Sequence, residues 1–174
     1  MMMKIKNYYL LILIILTSLS HALAQSDNQC ACCSENHTAF DFWIGDWTVY
    51  NTDGNFIGTN NIMKMQDGCV LQENWNSADS SITGTSYNFF DSSDSTWNQV
   101  WISNTGNVLR LKGNLNDEGN MILKSELVNN SRGTYYNQIT WSKNEDSTVT
   151  QHWDILNENG ELVNTAFEGI YKNH

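Results

Sequence analysis

Residues 83–114 read TGTSYNFFDSSDSTWNQVWISNTGNVLRLKGN, and this stretch decides the fold. Three runs rich in Thr, Tyr, Phe, Trp, Val and Ile, residues 83–91, 97–103 and 108–114, are separated by short polar joints. Within the runs, side chains of unlike polarity alternate with a period of two, the pattern of a strand with two different faces. Joints this short leave no room for a crossover, so successive strands are expected to be antiparallel neighbours. Thr105-Gly106, between the second and third runs, supplies the positive φ that a tight hairpin needs.

The same design extends in both directions from Gly45 to the C-terminus. Ten runs are predicted as strands: residues 46–51, 56–65, 69–76, 83–91, 97–103, 108–114, 121–128, 134–143, 148–156 and 162–171. The chain has no proline, so its turns are built instead from Asp53-Gly54, Asp67-Gly68, Thr105-Gly106, Glu118-Gly119 and Asn159-Gly160. Only Ala39 to Ile44 suggests a helical turn before the first strand. An open ten-strand meander leaves two free edges and a wet apolar face, whereas closure removes both. The expected fold is therefore all-β, a single up-and-down antiparallel β-barrel of about ten strands. A membrane-inserted barrel needs apolar outward rows and aromatic girdles; here most strands carry Asn, Thr, Ser, Lys or Glu on one face.

Ahead of the barrel, Lys4 and Lys6 precede the apolar run Tyr8 to Ile15, and Ala22-Leu23-Ala24 offers small residues for a signal peptidase. Residues 1–24 are expected to be a signal peptide, 25–38 a Cys-rich N-terminal segment and 39–174 the barrel domain. The apolar run falls short of the ~20 residues a spanning helix requires, so stable membrane insertion is not expected. The protein is placed outside the cytoplasm, periplasmic or extracellular. Cys30, Cys32, Cys33 and Cys69 all lie beyond the cleavage point, and an even number in an oxidising compartment predicts two disulfides. Three pairings are open; one between neighbouring Cys32 and Cys33 would be strained, which favours a link from the cluster to Cys69. The rival reading is a Zn or Cu site that adds His37, against which the spacing fits no standard finger.

Cleavage leaves seven basic residues against nineteen acidic ones, a net charge of −12 compared with −10 for the whole chain. A nucleic-acid partner is excluded on that ground, because phosphate binding depends on basic side chains that release counterions. With 40% hydrophobic and only 16% charged residues, the chain can bury a core.

Residues two apart share a face. Cys69, Leu71, Glu73 and Trp75 therefore align on the third strand, Trp97, Gln99 and Trp101 on the fifth, and Val149, Gln151, Trp153 and Ile155 on the ninth. Three times a hydrogen-bonding side chain precedes a Trp by two residues: Glu73-x-Trp75, Gln99-x-Trp101 and Gln151-x-Trp153. These strands run in one direction in a meander, so the three Trp form one layer, with Glu73, Gln99 and Gln151 about 6–7 Å deeper. The eighth strand adds Tyr135, Asn137, Ile139 and Trp141 on one face. An apolar cavity with a few convergent polar groups is the usual build of a small-molecule site. Arg110 would pair with Glu73 or with a ligand carboxylate if it pointed inward; its alternation with Leu109 and Leu111 favours an outward position. No G-x-S-x-G elbow, H-E-x-x-H pair or Gly-rich phosphate loop is present, so no cofactor or metal is expected. Glu73 is the one candidate acid or base.

Phe40-Asp41-Phe42-Trp43-Ile44-Gly45-Asp46-Trp47-Thr48-Val49-Tyr50 resembles the opening of a group of bacterial exported proteins of unknown function, which begin Phe-Asp-Phe-Trp-(Ile/Leu)-Gly-(Asp/Glu)-Trp. Residues 68–75, 84–91, 97–101 and 167–171 are similar to that group as well. The resemblance implies a lipocalin-like, or calycin, barrel and brings no activity with it. Gly45-x-Trp47 also resembles the lipocalin Gly-x-Trp signature, which implies a structural role for both residues and places Trp47 at the barrel's base. Where lipocalins carry an Arg against that Trp, this chain offers only Lys172.

Three functions follow as expectations. The first is a barrel that binds a small apolar or amphipathic molecule, with Glu73, Trp75, Gln99, Trp101, Trp141, Gln151 and Trp153 as its binding residues. The second is a barrel enzyme of isomerase or cyclase type using Glu73. The third is a carbohydrate-binding module with outward-facing Trp and Asn.

Overall fold

The computed structural model describes residues 30–173, and the barrel unit begins at Ala31. The expected signal peptide lies outside the described residues. A short helix, α1 (Glu35–Thr38), and a 3₁₀ turn (Asp41–Trp43) precede the strands β1 (Gly45–Tyr50), β2 (Phe56–Met65), β3 (Val70–Ser77), β4 (Thr83–Asp91), β5 (Thr96–Ser103), β6 (Val108–Leu115), β7 (Met121–Lys124), β8 (Val128–Asn130), β9 (Gly133–Lys143), β10 (Val149–Leu156) and β11 (Leu162–Asn173). Antiparallel pairing runs β1 to β7 in sequence, then β7 to β9, β9 to β10, β10 to β11 and β11 back to β1. The result is a closed ten-strand up-and-down barrel, consistent with a lipocalin-like fold.

Eleven segments make ten strand positions because β7 and β8 share one. Both pair with the same edge of β9: Lys124 faces Gln138 and Val128 faces Tyr135. Between these pairs three residues on one strand lie opposite two on the other, a β-bulge over Ser125, Glu126 and Leu127. The seventh run, expected to be continuous, is interrupted there. The backbone N–H of Ser125 donates to the Asn137 carbonyl, and the Asn137 N–H donates to Ser125 Oγ. Leu127, which unbroken alternation would turn inward, is exposed.

The turns carry out their chemistry as read: Gly54, Gly106, Gly119 and Gly160 all have φ near +80°. Asn side chains support them. Asn51 Oδ1, Asn116 Oδ1 and Asn157 Oδ1 each accept the backbone N–H four residues on, in place of the rigidity proline would give.

One end of the barrel is plugged. Phe40 and Trp43, both fully buried, stack with centroids 5.0 Å apart, and Phe40 meets Trp141 and Trp97 edge-on at 5.0 and 5.6 Å. Met121, Leu123, Val49 and Val149 complete this core. Trp47 Nε1 donates to the Trp43 carbonyl at 2.9 Å, and its ring meets Tyr171 edge-on at 6.2 Å. Tyr171 is thus the group against Trp47, while Lys172 lies over the Tyr50 ring.

A Cys32–Cys69 disulfide ties the N-terminal segment to the start of β3, and the second bridge joins Cys30 to Cys33. All four thiols are consumed. A Zn or Cu site using those thiolates is therefore displaced by the two disulfides. His37 Nδ1 instead meets Ser34 Oγ at 2.7 Å, with its ring edge-on to Phe90. Among the described residues no helix is long and apolar enough to cross a membrane.

Candidate functional site

Beyond the aromatic plug, the inner faces of the strands turn polar. Asn60 on β2, Glu73 on β3, Ser86 and Asn88 on β4, Gln99 on β5 and Gln151 on β10 are all buried, and they are linked side chain to side chain. Gln99 Nε2 donates to Asn88 Oδ1 at 2.8 Å, and Asn88 Nδ2 donates to Ser86 Oγ at 2.8 Å. Ser86 Oγ donates to Glu73 Oε2 at 2.6 Å, and Asn60 Nδ2 donates to Glu73 Oε1 at 2.7 Å. Asn60 Nδ2 also reaches the Tyr171 hydroxyl at 3.4 Å, which donates in turn to Gln151 Oε1. One hydrogen-bonded belt therefore spans β5, β4, β3, β2, β11 and β10, and it forms the floor of a cavity.

Trp75, Trp101 and Trp153 stand above this floor, one two-residue step up their strands, and with Phe167, Leu109 and Ile139 they line a cavity of about 300 Å³. All six residues of the polar-x-Trp repeats line it together, as alternation predicts. Two of the indoles pack closely against glycines. A Cβ on Gly84 would come within 2.6 Å of the Trp101 indole, and one on Gly58 within 2.5 Å of the Trp75 ring. Trp153 Nε1 donates to Asn137 Oδ1 at 3.0 Å, and Phe167 meets Trp75 edge-on at 5.7 Å.

Trp141 is placed elsewhere. It is fully buried in the basal plug against Phe40 and Trp43 and does not line the cavity. Arg110 is exposed, as its alternation suggested. Sequence reasoning missed Asn60, Ser86, Asn88 and Tyr171. Period two did carry a signal for them, since Gly58, Asn60 and Ile62 share one face and Gly84, Ser86, Asn88 and Phe90 another. What it lacks is the register that sets those faces beside Glu73.

Burial raises the Glu73 carboxyl above its ordinary value of 4.5, and the hydrogen bonds from Ser86 and Asn60 oppose this in part. Burial, reinforced by the neighbouring Glu73 charge, likewise pushes the Tyr171 phenol well up. Among the described residues, no His and no second carboxylate lines the cavity beside Glu73, and none groups with others into a His, Cys, Asp and Glu cluster able to hold a metal. The arrangement can receive an apolar body between indoles and orient one polar group at the floor.

Outside this cavity lies a wider vestibule of about 990 Å³ that shares Trp101, Leu109, Trp153, Ile82 and Ala166 with it. No known protein family and no curated protein matches the chain.

Proposed function

We propose that this protein is an exported lipocalin-like barrel that binds a small apolar or amphipathic molecule, held between Trp75, Trp101 and Trp153 and oriented by Glu73, Gln99 and Gln151. The observation that carries the reading is the indole-walled cavity above a hydrogen-bonded polar floor. Its volume of about 300 Å³ lies at the small end of the range for ligand pockets. A barrel built only for stability fills its interior with side chains, whereas here the space above the floor stays open while the basal half is packed. Two disulfides support a periplasmic or extracellular location. The three cavity Trp face inward and the other four are buried, so no Trp presents the outward face that a carbohydrate module would use.

Quenching of Trp fluorescence by a twelve-carbon alcohol, with at least roughly tenfold weaker binding after Trp101→Ala, is the expected result, since a buried aromatic contact is worth a kcal/mol or more. No quenching by any apolar probe overturns the reading. The second reading, an isomerase or cyclase using Glu73 as acid or base, is supported by that carboxyl's burial at the cavity floor. Its test is Glu73→Gln: turnover of a candidate substrate must fall while binding persists.

A further inference from the structure

The barrel wall is incomplete on one side. β6 pairs with β7 only from Lys112 to Leu115, and at the bulge the neighbouring strand turns away, so that β8 pairs with β9 alone. Residues 108–111 of β6 thus have a partner on the β5 side only. The vestibule extends into this gap. It is lined by Val108, Leu109 and Arg110 in succession, although Leu109 faces into the barrel and its two neighbours face out. A cavity that touches both faces of a strand passes over its end or around a free edge, and Leu109 and Arg110 lie along the unpaired edge. On this side the vestibule is therefore a lateral slot in the wall, joined to the barrel's mouth at Ile82, Ile155 and Val163 and continuous through Leu109, Trp101 and Trp153 with the inner cavity.

Both arginines of the chain, Arg110 and Arg132, line this slot. Neither guanidinium forms an ion pair or hydrogen bond among the described residues, whereas Lys64 and Lys112 are each paired with an aspartate. Glu126 is the one carboxylate in the lining and is exposed. In a chain of net charge −10, two unpaired guanidinium groups on the access route of an apolar cavity are the groups there that distinguish an anion from a neutral molecule.

We propose that the slot binds the anionic head group of an amphipathic ligand, a carboxylate or similar monoanion, at Arg110 and Arg132, while the ligand's apolar chain passes Leu109 into the indole-walled cavity. This rests on the small-molecule reading given above and adds the ligand's charge and orientation: head at the side of the barrel, tail inward.

The test compares dodecanoate, dodecan-1-ol and dodecylammonium as Trp quenchers of the wild-type protein and of an Arg110→Gln/Arg132→Gln variant. Both arginines are exposed and without side-chain partners, so the variant is expected to unfold at the wild-type temperature. Dodecanoate is expected to bind at least about tenfold tighter than the alcohol, with dodecylammonium weakest. The double substitution should erase the advantage of dodecanoate and leave the alcohol unchanged; added salt should weaken dodecanoate alone. Equal binding of dodecanoate and dodecanol, unmoved by the substitutions, overturns the assignment of the slot while leaving the binding barrel intact. Failure of all three probes to quench overturns both.

Discussion

At the scale of single residues, Glu73 is the most exposing position for experiment. Its carboxyl is buried and accepts only two side-chain hydrogen bonds, from Asn60 and Ser86, too few to offset lost hydration. The native state therefore keeps its proton to higher pH than the unfolded chain does. Unfolded chains then bind fewer protons than native ones, and stability falls as pH rises from the ordinary carboxyl value of 4.5 to the raised one. Below that window the contribution is fully present, and above it the loss is complete. Glu73→Gln removes the titration: thermal midpoints of the variant are expected to overtake those of the wild type as pH climbs from 4 to 9. A constant difference across that range would mean that burial does not govern Glu73. Gly84 gives a second test, since an added Cβ meets the Trp101 indole at 2.6 Å. Gly84→Ala is expected to cost about 1–3 kcal/mol in urea unfolding, as overpacking does, and to shift Trp emission because the ring must leave the cavity wall.

Elements tell which parts of the fold were legible and which were not. Nine strand positions could be read from alternation and from Gly-containing turns, because a hairpin is encoded within a few residues of itself. The seventh could not. Residues 121–128 keep the same alternation straight through Ser125-Glu126-Leu127, and nothing in that run demands a bulge; it follows from Ser125 and Asn137 exchanging hydrogen bonds across the sheet. Trp141 shows the same limit. Its face was readable, but the plug that covers it is formed by Phe40 and Trp43 from outside the sheet, and only tertiary structure places them there. The cysteines left three pairings open for a related reason: spacing along the chain does not reveal that Cys32 ends beside β3. This bridge closes a separation of 37 residues, for which chain entropy suggests about 4 kcal/mol, with 2–4 typical in practice. The Cys32→Ser/Cys69→Ser variant is expected to lose stability in that range by denaturant titration. Quenching by acrylamide should rise as well, because Trp43 and Trp97 rely on the segment the bridge holds: Trp97 Nε1 donates to the Asn36 carbonyl at 2.9 Å.

Over the whole molecule, stabilising features are divided between the two ends. The base holds the disulfide to β3, the buried cluster of Phe40, Trp43, Trp97 and Trp141, and strands paired on both sides. The opposite end holds the bulge, the one-sided strand β8 and the unpaired edge at residues 108–111. Seven large apolar side chains are also exposed there: Phe56, Ile82, Ile102, Val108, Leu127, Leu162 and Val163. Local opening is easiest where buried contacts are few and backbone bonds are open to water, so hydrogen exchange should divide the barrel along its axis. Amides around Trp97, Trp141 and Val149 are expected to exchange only through global unfolding. Those of residues 125–134 should exchange orders of magnitude faster, since β8 separates from β9 without disturbing the plug. A ligand bound between the indoles contacts Trp153, which is tied through Asn137 to β9 beside the bulge. Occupancy should therefore slow exchange at residues 125–134 and leave the base unchanged, and the midpoint of thermal unfolding should rise with the logarithm of free ligand once the site is saturated. Uniform protection across both ends, or slowing confined to the base, would contradict a cavity that opens through the split wall.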